Sequence, residues 1–491
     1  KQTVFSAVRS THCFAARVAT MASWSCAACG FLAAGLVLCR RRRRGKALSD
    51  ASGPDISNIS TSASQNDQVQ SFKTQDHQRI MAFRIIMGVG VLFGSFQAPW
   101  QALPVLIDRK IAADDGLPLT ENQLTVSQTA IFVGWLLGSI LLHPLMQRLN
   151  MKQLLVLLGA TMLLLSVGTI TLPYIQVVSL TMLCLVRLVH GMCLNIQGLQ
   201  YVYMQNCFPG YGSQLCSLVN ALYSVVAVLM AVLCGSLTLH ADWRLEAFLW
   251  FGLPILLGLF VAFPDLWSVL ASLPNAFTAT SSRADQTGLE KAHHAPLPPE
   301  LRKDLVNLAI CFWATVYAYY GLSYSADSLC SNAYLSSMLI SGSDVLACLF
   351  ASRASQMGRN RAQFGSFLLG GICLMACALG TLDSIFVMTM AIIARMCLSV
   401  VFVTIYVALA DIFPEWCQKI ALPTCEIFAR VGGCLSPSCG TLPVHLSCPL
   451  FGLACLAAAR ATMKLPEKCR LKCQSETTKA VDLDLDRMMG A

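Results

Sequence analysis

The sequence predicts an all-α membrane protein with twelve transmembrane helices, and three observations predict it. Apolar runs of about 20 residues recur between residues 80 and 460, the length that spans a hydrocarbon core at 1.5 Å per residue. The chain is 55% hydrophobic and only 12% charged, with a mean hydropathy of +0.60, whereas soluble domains carry about 25% charged residues. The runs show no alternation of apolar and polar residues, which removes the reading as barrel strands.

The elements follow in order. Span one centres on Val91. Span two centres on Trp135 and carries Gly134-x-x-x-Gly138, a spacing that lets helix backbones approach closely. Spans three to six centre on Leu163, Leu188, Val226 and Leu257, which gives a six-helix bundle over residues 80–263. Residues 264–304 are rich in Pro, Ser, Thr and charge and read as a cytoplasmic linker. Spans seven to twelve centre on Trp313, Ala347, Leu369, Arg395, Phe428 and Leu453, a second bundle over residues 305–460 followed by a cytoplasmic tail, 461–491. The twelfth span, "LPVHLSCPLFGLACLAAA", has the weakest signal because two prolines and a histidine interrupt it.

Residues 1–79 read as a leader and a polar, Ser-rich cytoplasmic segment whose composition is that of a disordered chain. Within it, the hydrophobic stretch 24–39 runs into five arginines, and residues 1–49 contain no Asp or Glu. A signal, an anchor, an organellar address and a translated untranslated region all fit that pattern.

Lys and Arg set the orientation. With the N-terminus inside, the inner breaks hold Arg148, Lys152, Arg283, Lys291, Arg302, Lys303, Arg353, Arg359 and Arg361, while the outer breaks hold Arg109, Lys110 and Arg244. The formal charge of +9 therefore reads as membrane topology and not as nucleic-acid binding. The sequence contains no Walker loop, no His-Glu-x-x-His and no nucleophile elbow, so neither an enzyme nor a cofactor is expected. Cys26-x-x-Cys29 lacks a second pair and predicts no zinc site. Two six-span halves without an ATP-binding motif point to a secondary transporter with its substrate site between the halves at the bilayer midplane.

Four stretches resemble a known family. "RLVHGMCLNIQG" (187–198) is similar to the arginine-plus-glycine signature of the major facilitator superfamily. "DWRLEAFLWFGLPILL" (242–257), "YYGLSYSADSLCSNAYLSSMLISG" (319–342) and "FPEWCQKIALPTCEIFARVGG" (413–433) resemble the organic ion transporter branch, solute carrier family 22. The resemblance covers residues 80–460 and implies alternating access, a small organic ion as substrate and a plasma-membrane or organellar-membrane location. Coupling to protons, sodium or exchange is left open by it.

The departures are specific. In the loop after span two, Arg148 and Lys152 remain, but the family's Gly, Asp and one Arg are replaced. After span eight only Gly358 and Arg359 persist. After span ten Asp411 keeps the acid and Gln418 replaces the Arg. Arg148 and Asp411 are thus the expected remnants of the cytoplasmic gating contacts. Asp344 lies one residue from a family acid, an offset expected to turn it away.

Arg187, Arg395 and Arg430 lie inside apolar runs. A charge at the bilayer centre costs about 2.5–3.5 kcal/mol, so each must face the bundle interior, a partner or water. The resemblance implies that Arg430 occupies a position that is Arg in anion carriers and Asp in cation carriers, where it would attract an anion through charge-assisted hydrogen bonds. Glu426 stands four residues earlier, the favourable orientation for a helical ion pair. That pair would neutralise Arg430 and suit a zwitterion, and both readings stand. Arg395 replaces a frequent family Lys and is expected to face the cavity. Arg187 is a structural or coupling residue. His190 either titrates near neutral pH or is a satisfied core histidine. Trp313, Tyr317, Tyr320 and Tyr324 share one helical face, either lining the cavity against an amphiphilic organic ion or packing between helices.

Overall fold

The computed structural model describes residues 120–141, 180–194, 201, 212–237, 298–325, 333–356, 358–378 and 384–467. All of them belong to the unit formed by residues 80–491; a separate unit comprises residues 1–79. Regular structure among the described residues is helical. The helices are α1 (Glu121–Leu141), α2 (Leu180–Cys193), α3 (Gly212–Leu237), α4 (Pro299–Tyr324), α5 (Ala333–Gln356), α6 (Arg359–Ala376), α7 (Ser384–Ile412), α8 (Glu415–Gly440) and α9 (Val444–Thr462). These contain nine of the twelve predicted span centres. Val91, Leu163 and Leu257, together with the gating candidate Arg148, lie outside the described residues.

Local chemistry explains several boundaries. α4 begins at Pro299, inside the stretch read as linker, where Pro298 is extended and Glu300 stands in the first turn. Proline at the first helical position loses no hydrogen bond, and an acid there suits the helix dipole. α8 carries Pro423 and Pro437 within its length. Pro437 cannot bond the carbonyl four residues back, which is that of Gly433. The Ser436 hydroxyl donates to that carbonyl at 2.7 Å, so it is not left bare in an apolar medium. In α9 the prolines that weaken the sequence signal sit early: Pro443 caps the helix and Pro449 lies near its start.

The distribution of polarity is inverted relative to a soluble protein. Phe350, Leu369, Ile372 and Leu453 are 50% or more exposed, while Arg395, Arg430 and Asp344 are 1% exposed. Water would reverse this arrangement; hydrocarbon outside and polar groups inside produce it. Four of the described helices are long and apolar enough to cross a bilayer, spanning Asn122–Leu141, Pro299–Tyr324, Ile385–Ile412 and Val444–Thr462.

α4 is the hub. It packs on α7, α8 and α9, while α1 packs on α2 and α8, and α3 packs on α5 and α7. The predicted close approach at Gly134 is real: a Cβ there would overlap the Leu188 carbonyl, and one at Gly191 would overlap the Ile131 carbonyl. α1 also presses on α8, where the Phe132 ring occupies the space that a Cβ at Gly433 would need. These contacts bring helices from before residue 264 against helices from after residue 298, and Arg430 lies beside that seam, over the Trp135 ring of α1.

Candidate functional site

The first buried cluster is built on Arg395 of α7. Its guanidinium grips Asp344 of α5, with Nε to Oδ1 at 3.0 Å and Nη2 to Oδ2 at 2.9 Å. Nη1 donates to the Tyr319 carbonyl and to the Ser323 hydroxyl of α4, the latter at 2.8 Å. The Tyr319 hydroxyl and the Ser399 hydroxyl both donate to Asp344. The guanidinium carbon stands 3.2 Å from the centroid of the Tyr319 ring. Two charges removed from water are costly unless paired and hydrogen-bonded, and here both are. The one-residue offset expected to turn Asp344 away instead aims it into the bundle. α5 itself sets that rotation by burying Ser336, Ile340, Ser343, Ala347 and Ala351 on the same face.

The second cluster is built on Arg430 of α8. Its Nη2 donates to Glu426, and the Tyr406 hydroxyl of α7 donates to the other Glu426 oxygen at 2.7 Å. Its guanidinium carbon lies 3.4 Å from the centroid of the Trp135 ring of α1. Nε and Nη1 have no hydrogen-bond partner among the described residues, although Arg430 is 1% exposed.

An aromatic run joins the two clusters. Tyr320 meets Trp135 edge-on at 6.3 Å and Tyr319 at 5.3 Å, so successive rings connect the seat of Arg430 to the seat of Arg395. Beside this run lies a narrow cavity bordered by Asn220, Tyr223 and Ser224 of α3, Tyr319 and Tyr320 of α4, Asp344 of α5, and Ser399 and Phe402 of α7.

The four-residue aromatic stripe divides in two. Tyr320 and Tyr324 face α1, with ring centroids 5.0 and 6.3 Å from Phe132. Trp313 and Tyr317 stack on each other at 5.2 Å; both contact α8 where Gly432 leaves room, and Tyr317 also meets Phe451 of α9. Steps of four, three and four residues keep the stripe on one face but spread it along about 16 Å of helix, enough for its two ends to meet different neighbours.

The remaining candidates lie apart. Arg187 of α2 is buried and donates to Ser127 of α1 at 2.7 Å, tying these two helices together. His190 is buried on the same helix. Arg359, at the start of α6, pairs with Asp411 at the end of α7 at 2.9 Å and also donates to the Pro466 carbonyl at 2.6 Å. Gln418, which replaces the family's Arg, donates to the Ala410 and Phe413 carbonyls. It caps the turn between α7 and α8 without charge.

Sequence reasoning left out Trp135, Tyr319 and Tyr406, and it expected Asp344 to point away. Two of these carried a signal. An acid in an apolar helix is a functional candidate by default, and Trp135 stands in the middle of a span when tryptophan favours the interfaces. Nothing in the sequence marks Tyr319 over Tyr320, or Tyr406 as the partner of a residue twenty positions away.

A sequence model described as Major Facilitator Superfamily matches residues 85–437. The chain is 30% identical over 202 residues to solute carrier family 22 member 6 of Bos taurus, a match covering 40% of this chain and 36% of that protein. It is 26% identical over 174 residues to organic anion transporter 3 of Homo sapiens, covering 34% of this chain and 32% of that protein. The matched stretches thus span only 36% and 32% of these relatives' own lengths. Among solved structures, the fold is similar to a proton:xylose symporter bound to 6-bromo-6-deoxy-D-glucose, with a TM-score of 0.63 and 13% identity, covering 80% of this chain and 98% of that one. It is also similar to the human organic anion transporter MFSD10, with a TM-score of 0.56 and 14% identity, covering 78% of this chain and 99% of that one.

Proposed function

The chain belongs to the Major Facilitator Superfamily, and on that premise we propose that it carries a small organic anion across a membrane by alternating access. The two moving bodies are residues 80–263 and residues 299–460, since α4 already begins at Pro299, with residues 264–298 joining them and the plasma membrane as the proposed location. The relatives named as organic anion transporters support the substrate class, and the seam between the early and late helices supports the mechanism.

One observation carries the reading. Arg430 is 1% exposed, yet its Nε and Nη1 lack hydrogen-bond partners among the described residues. Buried donors left unpaired cost about 1–3 kcal/mol, more when charged. A substrate carboxylate would satisfy both through charge-assisted bonds, while Trp135 and Tyr320 supply apolar faces to its body. Asn220, Tyr223 and Ser224 border the cavity from α3 and suit a polar group at the substrate's far end. Arg395, saturated by Asp344 and α4, holds the wall in place, as Arg187 does between α1 and α2.

The closed pair between Arg430 and Glu426 favours a second reading, in which a zwitterion places its ammonium on Glu426 and its carboxylate on Arg430. Uptake into proteoliposomes of labelled organic anions, cations and zwitterions separates the readings. Arg430→Met lowers anion uptake at least tenfold if Arg430 is the anchor; unchanged uptake overturns that assignment. Glu426→Gln raises anion uptake under the first reading and abolishes zwitterion uptake under the second. Specific binding with no uptake of any class would make the protein a receptor or scaffold.

A further inference from the structure

We infer that Cys377 and Cys448 form a disulfide that staples α6 to α9 at the outer end of the helix bundle. The two helices run antiparallel and cross tightly. A Cβ at Gly371 would lie 3.1 Å from the Gly452 carbonyl oxygen, and one at Gly452 would lie 3.0 Å from the Gly371 carbonyl oxygen. Cys377 is six residues beyond the crossing on α6, and Cys448 is four residues before it on α9. At 1.5 Å per residue these offsets are about 9 and 6 Å in the same direction, so the crossing brings the two side chains to one level. The same antiparallel register holds at the other end of the pair, where the Asn360 amide donates to the Leu465 carbonyl, and it sets Cys377 opposite Cys448. Both residues are buried, at 1% and 0% exposure, and the Cys377 thiol donates to the Val387 carbonyl at 3.7 Å.

The charge pattern decides which compartment they face. α6 begins with Arg359 and Arg361, and α9 ends with Arg460 followed by Lys464. Lys and Arg mark the cytoplasmic end, so Cys377 and Cys448, at the other end of both helices, lie on the exoplasmic side. Disulfides form and persist there. Cys373 of α6 and Cys455 of α9 lie deeper along the same two helices and remain thiols. This assignment depends on the charge bias and not on the substrate proposed above.

The bond forms while the chain folds in the secretory compartment, before the helices close over the thiols. The oxidant is the disulfide of a thiol–disulfide oxidoreductase. One cysteine thiolate attacks that disulfide, giving a mixed disulfide and releasing one oxidoreductase thiol. The second cysteine thiolate then attacks its neighbour's sulfur, the protein disulfide forms, and the second oxidoreductase thiol leaves. Two protein thiols are oxidised, one disulfide is reduced, and two protons pass through water.

The test uses the full chain made in a eukaryotic secretory host. Free thiols are alkylated at low pH in denaturant, the protein is digested with trypsin without reductant, and the peptides are sequenced by tandem mass spectrometry. The expected product is the peptide 362–395 linked to the peptide 431–460, with fragment ions assigning the bond to Cys377 and Cys448 and not to Cys434, Cys439 or Cys455. It disappears after reduction. Cys448→Ser abolishes it and Cys455→Ser leaves it intact. Wild-type protein with both Cys377 and Cys448 alkylated before reduction, or a bond to any other cysteine, overturns the proposal. Because the wild type is read directly, misfolding of a serine variant does not affect the outcome.

Discussion

Arg395 and Arg430 sit on adjacent helices in sequence, each 1% exposed, each over an aromatic ring, and each beside one carboxylate. Their surroundings nevertheless differ. Arg395 joins three helices, because Asp344 is on α5 and the Tyr319 carbonyl and Ser323 hydroxyl are on α4. Arg430 finds its carboxylate one turn back on its own helix, a pair that ties α8 to nothing else. Among the described residues, the Tyr406 hydroxyl and the Trp135 ring bring other helices to it. Burial is therefore the same for the two arginines. What differs is how many of their donors the described residues use, and the reading proposed above makes that difference the mark of the binding residue.

Five variants break or sharpen that contrast. Asp344→Ala leaves Arg395 buried and unpaired and is expected to cost about 3–5 kcal/mol, read as a lower melting temperature or loss of monodisperse protein. The double variant Asp344→Leu/Arg395→Met removes both charges and should recover most of that stability. Failure to recover would mean that the hydrogen bonds to α4, and not the unpaired charge, set the cost.

Arg430→Met should act on transport before stability. Loss of charge-assisted bonds worth about 1.5–3 kcal/mol predicts a fall in anion uptake of at least about tenfold, with a smaller change in melting temperature than Asp344→Ala causes. If Arg430→Met unfolds the protein and Asp344→Ala does not, the two roles are exchanged. Tyr320→Leu tests the bridge between the clusters. Losing its ring contacts with Trp135 and Tyr319, each worth about 0.5–1.5 kcal/mol, should weaken uptake by a few-fold while the helix still forms.

The smallest effect is expected at the end of the bundle. Asp411 is about half exposed, so solvent screens its pair with Arg359, and Asp411→Asn should change stability by about 0–1 kcal/mol. A larger loss would show that the contact does more than join two helix ends.

Much of this arrangement can be read from the sequence, and the limits of that reading are physical. The membrane character, nine of the span centres and the close packing at Gly134 follow from composition and spacing, because hydrocarbon constrains length and polarity along a single helix. The Glu426–Arg430 pair was readable for the same reason: i and i+4 are neighbours on any helix. Asp411, expected as a remnant of the family's cytoplasmic contacts, pairs with Arg359. The stripe from Trp313 to Tyr324 was read as one face, but neighbours on both sides divide it.

What the sequence determined by itself is therefore what a single helix determines: where the nine described span centres lie, and that three arginines had to be kept from lipid. Only the tertiary structure decided which partners they found. Asp344 is fifty-one residues from Arg395, and Trp135 is nearly three hundred from Arg430. The distance between such groups is set by how helices rotate and cross, and no local period encodes that. The spare donors of Arg430 are likewise a property of the packed bundle, because a donor counts as unpaired only once every surrounding helix is in place.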